Sequence, residues 1–132
     1  MYERDYVHTR RLEGAGFAAV VARTRVALAA GGFGVITEID VQATMRAKLG
    51  IERRPFLILG ACNPALAHQA LTAEPAIGTL LPCNVDVFEA DDGAIYVQTV
   101  RPTVLFGLVK NPAVQPLAEE IDARLQRVLA AV

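Results

Sequence analysis

The residues of this sequence best suited to chemistry are its two cysteines, Cys62 and Cys83. Each is followed directly by an asparagine, Asn63 or Asn84, in the segments Cys-Asn-Pro and Pro-Cys-Asn. A thiol is soft and polarisable, and an amide both donates and accepts hydrogen bonds, so together these groups could bind a small molecule. We take Cys62, Asn63, Cys83 and Asn84 as the candidate ligand-binding residues.

The two thiols could also act as a pair. If the strands that carry Cys62 and Cys83 are neighbours, both sulfurs could lie at the same end of the sheet. There they could serve as a thiol redox pair or share a soft metal such as Cu(I). A helix that starts after Cys62 would favour its thiolate. The competing interpretation is that both cysteines are small core residues, because free cysteine is often buried as a hydrophobe.

Other metal and catalytic sites find little support in the sequence. The cysteines are not spaced as Cys-x-x-Cys, and a closed zinc site needs four ligands, to which only His8 and His68 could be added. His8 lies in a polar N-terminal segment and His68 in a predicted helix. The chain contains no serine, and no histidine can be assigned as a base to Cys62. We predict no catalytic residue, favour a binding protein over an enzyme, and leave the identity of any cofactor open.

The two asparagines differ in what else they could do. Asn63 precedes Pro64 where a strand leads into a helix, and this pair is typical of a helix start because Asn caps free N–H groups and Pro has none to satisfy. Capping is therefore the favoured role of Asn63. Asn84 begins a strand, where its amide either bonds the neighbouring backbone or faces a pocket. The strand-to-helix turn 60–64 is also a candidate anion site.

Hydrophobic periodicity and turn residues place these positions on secondary structure. Asp40 is a predicted N-cap and Gly50 a predicted helix end, while Asp91-Asp92-Gly93 predicts a hairpin between the last two strands. The predicted strands are 5–10, 33–39, 55–61, 83–89 and 95–100. The predicted helices are 17–28, closed by Gly31-Gly32, then 41–49, 64–71, 76–81, a short helix or turn over 103–109, and a last helix after Pro116.

These elements predict one domain and one fold class. Helices on one face of a curved, largely antiparallel five-stranded sheet satisfy the order of the elements, which makes a two-layer α+β fold. A chain of 132 residues is of ordinary size for one domain, and no linker, repeat or low-complexity segment divides it. Residues 1–132 are therefore predicted to form a single domain.

Composition argues against several kinds of partner. Thirteen basic and fourteen acidic side chains give a net charge of −1 without a basic block, which argues against nucleic acid. The polar start lacks the apolar core of a secretory signal, and Asn63 and Pro64 interrupt the longest uncharged run, 55–73. We therefore expect a cytoplasmic protein without a membrane span. Hydrophobic residues make up 53% of the chain, above the usual share of about 45 to 50%, and this excess suggests an interface in addition to a core.

Three motifs resemble one known family. GFGVITEIDV, LGACNP and EPAIGTLLPCNV occur in this order and are followed by the predicted hairpin. From about Phe17 to Pro102 the chain resembles the domain-of-unknown-function family 302. The resemblance implies a compact α+β domain with a curved antiparallel sheet gripped by helices, similar to the TATA-binding-protein architecture, and often a homodimer. It implies no activity, but it marks the Cys-Asn-Pro and Pro-Cys-Asn segments as the family's signature.

Overall fold

Helical segments separate the first four strands along the chain, and the fourth and fifth strands follow each other directly. The computed structural model describes residues 1–132. The strands are β1 (Val7–Leu12), β2 (Gly34–Asp40), β3 (Phe56–Cys62), β4 (Cys83–Glu89) and β5 (Ile95–Val100). The helices are α1 (Phe17–Ala30), α2 (Val41–Leu49), α3 (Pro64–Ala73), α4 (Pro102–Leu105) and α5 (Gln115–Ala131), and 3₁₀ helices cover Pro75–Leu80 and Phe106–Leu108. No helix combines the length and the hydrophobicity that crossing a bilayer requires.

Local capping interactions set the ends of the first two helices. Asp40 caps α2 by accepting a hydrogen bond of 2.9 Å from the Ala43 N–H, and Gly50 ends this helix in the left-handed conformation with a φ of 64°. Beyond the end of α1, Gly32 takes a positive φ of 85°. The sequence predicts these helix ends correctly because each depends on only a few neighbouring residues.

All five strands pair antiparallel in the order β1-β5-β4-β3-β2. The predicted hairpin joins β4 to β5, with Val87 opposite Val97. β3 lies beside β4, and Ala61 pairs with Cys83, so the strands that carry the two cysteines are neighbours. The predicted α+β fold is confirmed.

The hydrophobic core lies between one face of the sheet and the helices α1 and α5. Alternate residues of β4, Val85 and Val87, are fully buried there, as are Leu28 of α1 and Leu125 of α5. Removing each such side chain from water stabilises the fold by about 1.5 to 3 kcal/mol. The packing of helices on the sheet is therefore the main stabilising contact of the domain.

One buried carboxylate connects β1 and α4 to α5. Asp122 is 4% exposed. Its Oδ1 lies 2.8 Å from Nε2 of His8 and accepts a hydrogen bond of 2.8 Å from Gln126, while its Oδ2 accepts from the backbone N–H and the hydroxyl of Thr103 at 3.2 and 2.9 Å. Burial opposes the ionisation of Asp122, but the hydrogen bonds from Gln126, His8 and Thr103 outweigh it and lower its pKa. Through four contacts with three residues, this carboxylate ties β1 and α4 to α5.

The opposite face of the sheet, called here the open face, carries a row of aromatic side chains. Phe56, Phe88 and Tyr96 lie side by side on three strands, with ring centroids 5.0 and 5.4 Å apart. Tyr2 packs against this row, with its ring centroid 4.6 Å from that of Tyr96. The N-terminal segment thus covers part of the open face.

Asp86 lies on the open face without a compensating charge. Its Cα is opposite those of Ile58 on β3 and Gln98 on β5, and its side chain is partly buried. Burial raises the pKa of Asp86 to about 6. An ionised carboxylate at this position therefore costs stability at neutral pH.

The structure shifts β1 relative to the sequence prediction. The strand was expected over 5–10 and spans Val7–Leu12, because its extent depends on pairing with β5, which reaches from Val7 opposite Val100 to Leu12 opposite Ile95. α3 extends to Ala73 rather than ending at 71, and the short helix that follows is a 3₁₀ helix. These differences do not move either cysteine to another element.

We expect Asp122→Ala to lower the free energy of unfolding by about 3 kcal/mol at pH 7, because His8, Thr103 and Gln126 lose their shared acceptor. The matched control is Glu119→Ala, which removes an exposed carboxylate from the same helix and should change stability by less than about 0.5 kcal/mol. Because the pKa of Asp122 is lowered in the folded state, its contribution to the free energy of unfolding is fully present above the unfolded pKa, about 4. This contribution is lost as the pH falls through the folded pKa. Urea unfolding at several pH values measures both effects, and equal losses in the two variants would contradict this assignment.

We expect Asp86→Asn to raise the free energy of unfolding at pH 7 by about 1 to 2 kcal/mol. Because the folded pKa of Asp86 is raised to about 6, its contribution to stability is fully present below its unfolded pKa, about 4, and is lost as the pH rises through about 6. The difference between variant and wild type should therefore grow between pH 4 and 7 in urea unfolding. Asp5→Asn, at an exposed position, is the control, and a difference that does not vary with pH would refute the prediction.

Candidate functional site

A cavity of about 300 Å³ lies at one end of the sheet, where β3 ends and β4 begins. α3 follows β3 there, and the 3₁₀ helix Pro75–Leu80 precedes β4. Cys62, Asn63 and Cys83 line it. Most of the other lining side chains are apolar, and they include Phe33, Ala70, Leu81, Phe106 and Ile121. No charged side chain lines the cavity. Three of the four predicted site residues are therefore brought together around one apolar space.

Strand pairing places the two cysteines on neighbouring strands, at the same end of the sheet. Cys83 is the first residue of β4 and pairs with Ala61, and Cys62 follows Ala61 as the last residue of β3. Side-chain alternation along β4 points Cys83 to the same face as Val85, beneath the helices. Both thiols are free, without a disulfide between them.

The two thiols differ in burial. Cys83 is 4% exposed, whereas Cys62 is only partly buried. Burial, with a smaller contribution from neighbouring Cys62, raises the pKa of Cys83 to about 11. Cys83 is therefore a neutral thiol at physiological pH, and Cys62 is the more accessible sulfur of the pair.

Asn63 caps α3, as the Asn-Pro pair predicts. Its Oδ1 accepts a hydrogen bond of 3.1 Å from the Leu66 N–H, and its Nδ2 donates one of 3.0 Å to the backbone oxygen of Gly32. A side chain at Gly32 would approach this amide, since a Cβ there would lie 3.3 Å from Nδ2. Asn63 thus joins the end of α1 to the start of α3. Because it takes an N–H group of the first turn, it also competes with an anion at the turn 60–64.

Asn84 lies away from the cavity. It is exposed on the open face, opposite Gly60, because successive side chains of a strand point to opposite faces and Cys83 already faces the helices. The sequence segment Pro-Cys-Asn therefore divides between the two sides of the sheet. The structure does not bring Asn84 together with Cys62, Asn63 and Cys83.

Close packing around Gly60 fixes the strands beneath the cavity. A Cβ at Gly60 would lie 2.7 Å from Cγ of Pro82 and would overlap the hydroxyl of Thr37. β2 has an irregular register between Val35 and Thr37, and Ile36 between them lines the cavity while remaining exposed. Bulges of this kind redirect a side chain, so this one accounts for Ile36 at the mouth of the cavity.

Several residues that complete the cavity wall lie outside the Cys-Asn-Pro and Pro-Cys-Asn motifs, and the sequence did not predict them as part of the site. Phe33 follows α1, Phe106 begins a 3₁₀ helix, and Ile121 belongs to α5. Phe106 is fully buried and Ile121 is 5% exposed, so in the sequence they cannot be distinguished from other core positions. The His8–Asp122 contact was missed for the same reason, since 114 residues separate the two side chains.

The arrangement suits binding better than acid–base chemistry. Neither histidine lines the cavity, so no base is positioned beside either thiol. No group of three or more His, Cys, Asp and Glu side chains could hold a metal ion anywhere in the structure. The cavity is therefore apolar, and its distinctive polar groups are two thiols and the Asn63 amide, which already makes two hydrogen bonds.

Comparisons with known proteins identify the family. The model of the domain of unknown function DUF302 matches residues 8–132. The crystal structure of an uncharacterized conserved DUF302 protein from Bacillus stearothermophilus is similar to this chain, with a TM-score of 0.88 and 28% sequence identity over 97% of this chain and 98% of that one. A search of the curated proteins finds no match. The chain belongs to the DUF302 family.

Proposed function

We propose that the protein binds a small, largely apolar molecule in the cavity beside Cys62, Asn63 and Cys83. The observation that carries this proposal is the cavity itself, about 300 Å³ in volume and without a charged lining side chain. Ligand sites of proteins are usually concave, mainly apolar and at least about 300 Å³ in volume, so this cavity has the size for a compact ligand.

The expected affinity follows from the area that such a ligand would bury. A molecule of about ten non-hydrogen atoms that loses about 200 Å² of apolar surface gains about 5 kcal/mol at 25 cal/mol per Å², before the cost of association. Because 5 kcal/mol by itself corresponds to a Kd of about 0.2 mM and the cost of association reduces this gain, we expect simple hydrocarbons and alcohols to bind with Kd values in the millimolar range or weaker. A natural ligand would gain more through a polar contact at the wall.

The environment of the thiols supports binding rather than catalysis. At its raised pKa, Cys83 remains protonated, and a protonated thiol is a poor nucleophile. Cys62 has no histidine beside it in the cavity wall. The exposed residues Ile36 and Leu71 belong to the lining as well, and they give a ligand an apolar path between solvent and the cavity.

We expect Ala67→Phe to abolish binding of neutral probes, because Ala67 lines the cavity and a phenyl ring there would fill it. Ala65→Phe is the matched control, since Ala65 is exposed on the same helix and does not line the cavity. Indole, naphthalene and octan-1-ol should shift the NMR methyl signals of Ile121 in the wild type and in the control. Affinity should fall at least tenfold in Ala67→Phe. Failure of all three probes to bind the wild type, or equal affinity in both variants, would refute the proposal.

We expect Cys62 to react with iodoacetamide at pH 7.5 at least about 100-fold faster than Cys83, because Cys83 is buried and its pKa is raised to about 11. Peptide mass spectrometry over time measures both rates in one sample. Saturating octan-1-ol should slow the alkylation of Cys62 by occupying the space beside its thiol. Urea-unfolded protein is the control, because the two alkylation rates should converge there. Faster labelling of Cys83 than of Cys62 in the folded protein would contradict the described burial.

A further inference from the structure

A second concave site, called here the cleft, lies on the open face of the sheet. It has a volume of about 650 Å³ and shares no lining residue with the cavity beside the cysteines. Phe56 and Phe88 of the aromatic row line it from the sheet, and Tyr2 and the segment 51–54 line it from outside the sheet. The other lining residues are Glu89, Asp91 and Gln98. The proposed function makes no use of this cleft.

We propose that the cleft binds a planar aromatic carboxylate, with its ring against Phe56 and Phe88 and its carboxylate paired with Arg53. The volume suits a compact molecule of one or two fused rings. This inference goes beyond the binding of an apolar molecule near the cysteines and does not depend on it, because the two sites have no residue in common.

The chain itself shows how a planar ring packs on the aromatic row. The ring of Tyr2 contacts the pair Phe88 and Tyr96, with centroids 5.1 and 4.6 Å away and tilts of 56° and 49°. Phe56 and Phe88 form the next pair of the same row, stacked 5.0 Å apart, close to the 5.4 Å between Phe88 and Tyr96. A ligand ring on Phe56 and Phe88 would therefore repeat, one strand further along the sheet, the contacts that Tyr2 makes.

The wall formed by Tyr2 is fixed without a ligand. Nε2 of Gln98 donates a hydrogen bond of 2.6 Å to the backbone oxygen of Tyr2. Arg101, which follows β5, donates from its backbone N–H to the oxygen of Tyr6 at 2.8 Å and from Nη1 to that of Asp5 at 3.2 Å. The N-terminal segment is thus tied to the sheet at three points. A wall that is already in place lowers the cost of ordering groups on binding.

The carboxylates that line the cleft already contact arginines. Glu89 and Asp91 lie 3.0 and 3.3 Å from the guanidinium of Arg54, which also lines the cleft. Glu52 lies 3.1 Å from the guanidinium of Arg46. A cationic ligand would have to compete with these arginines for the same carboxylates.

Arg53 is the lining cation that remains for a ligand. It belongs to none of the ion pairs of the cleft. Its guanidinium lies 5.8 Å from the centroid of the Phe56 ring, at the end of the aromatic row. A guanidinium presents a planar set of donors that matches a carboxylate. A carboxylate attached to a ring on Phe56 would meet Arg53, so the charge and the rings together fix one orientation of the ligand.

The test is a titration of the full-length chain with 2-naphthoate, with the neutral 2-naphthamide as the matched probe. The NMR signals of the Gln98 side-chain amide report binding in the cleft. We expect Arg53→Gln to weaken 2-naphthoate about three- to tenfold and 2-naphthamide less than about twofold, because only the charge pairing is lost. Arg23→Gln is the control. It alters an exposed arginine of α1 that does not line the cleft, and both affinities should stay within about twofold.

The role of the rings is tested separately. Phe56→Leu keeps an apolar side chain but removes a ring, and it should weaken both probes at least about fivefold. Circular dichroism checks that this variant is folded. Nuclear Overhauser contacts from the naphthalene protons to the rings of Phe56 and Phe88 in the wild type test the same assignment without any substitution.

Several results would overturn the carboxylate site. These are no binding of 2-naphthoate to the wild type, equal losses of both probes in Arg53→Gln, equal affinity for the cation 2-naphthylmethylammonium, or no Overhauser contact with the two rings. Ala67→Phe fills the other cavity, which has no charged side chain to pair with a carboxylate, and should leave the affinity for 2-naphthoate within about twofold.

The two proposals can fail independently. Loss of 2-naphthoate binding in Ala67→Phe but not in Arg53→Gln would refute only the carboxylate site. Binding of 2-naphthoate in the cleft, together with the failure of indole, naphthalene and octan-1-ol to shift the signals of Ile121, would refute only the proposed function.

Discussion

Alternation of side chains along β4 sets the two faces of the sheet, and the core, the cavity and the open face all follow from it. Cys83, Val85 and Val87 point to the helices and are buried, while Asn84 and Asp86 point to the open face. β4 is the middle strand of five, so its two faces define the two sides of the whole sheet. A shift of register by one residue would expose the valines and bury the amide and the carboxylate, which the loss of core contacts forbids.

The same constraint gives the two sides of the sheet different chemistry. On the helical side, the layer of α1, α3 and α5 leaves an apolar cavity at the strand ends, and Cys83 in its wall is protonated at neutral pH because its side chain is buried. On the open face, Asp86 lies two residues before Phe88 of the aromatic row, and burial makes the ionisation of its carboxyl group unfavourable. Both groups thus have raised pKa values through burial, although only Cys83 lies at the cavity.

The candidate site was predictable to the extent that it depends on local motifs. The strand-to-helix turn at Asn63 and Pro64 and the start of β4 at Cys83 have strong local signals, so three of the four proposed residues line the cavity. Asn84 does not line it. Its side chain points away from the helices because the neighbouring Cys83 points toward them, and the sequence does not show which face of β4 the helices cover. The extent of β1 was misjudged because pairing with β5 determines it.

The helix caps at Asp40 and Asn63, the hairpin between β4 and β5, the fold class and the family motifs can all be recognised in the amino-acid sequence. Each of these depends on contacts between residues close in the chain or on a repeated pattern. The folded chain is needed to see that Phe33, Phe106 and Ile121 line one cavity with the two cysteines, and that His8 contacts Asp122. Their side chains come from distant segments, and burial selects them for size and hydrophobicity, properties that many other positions share.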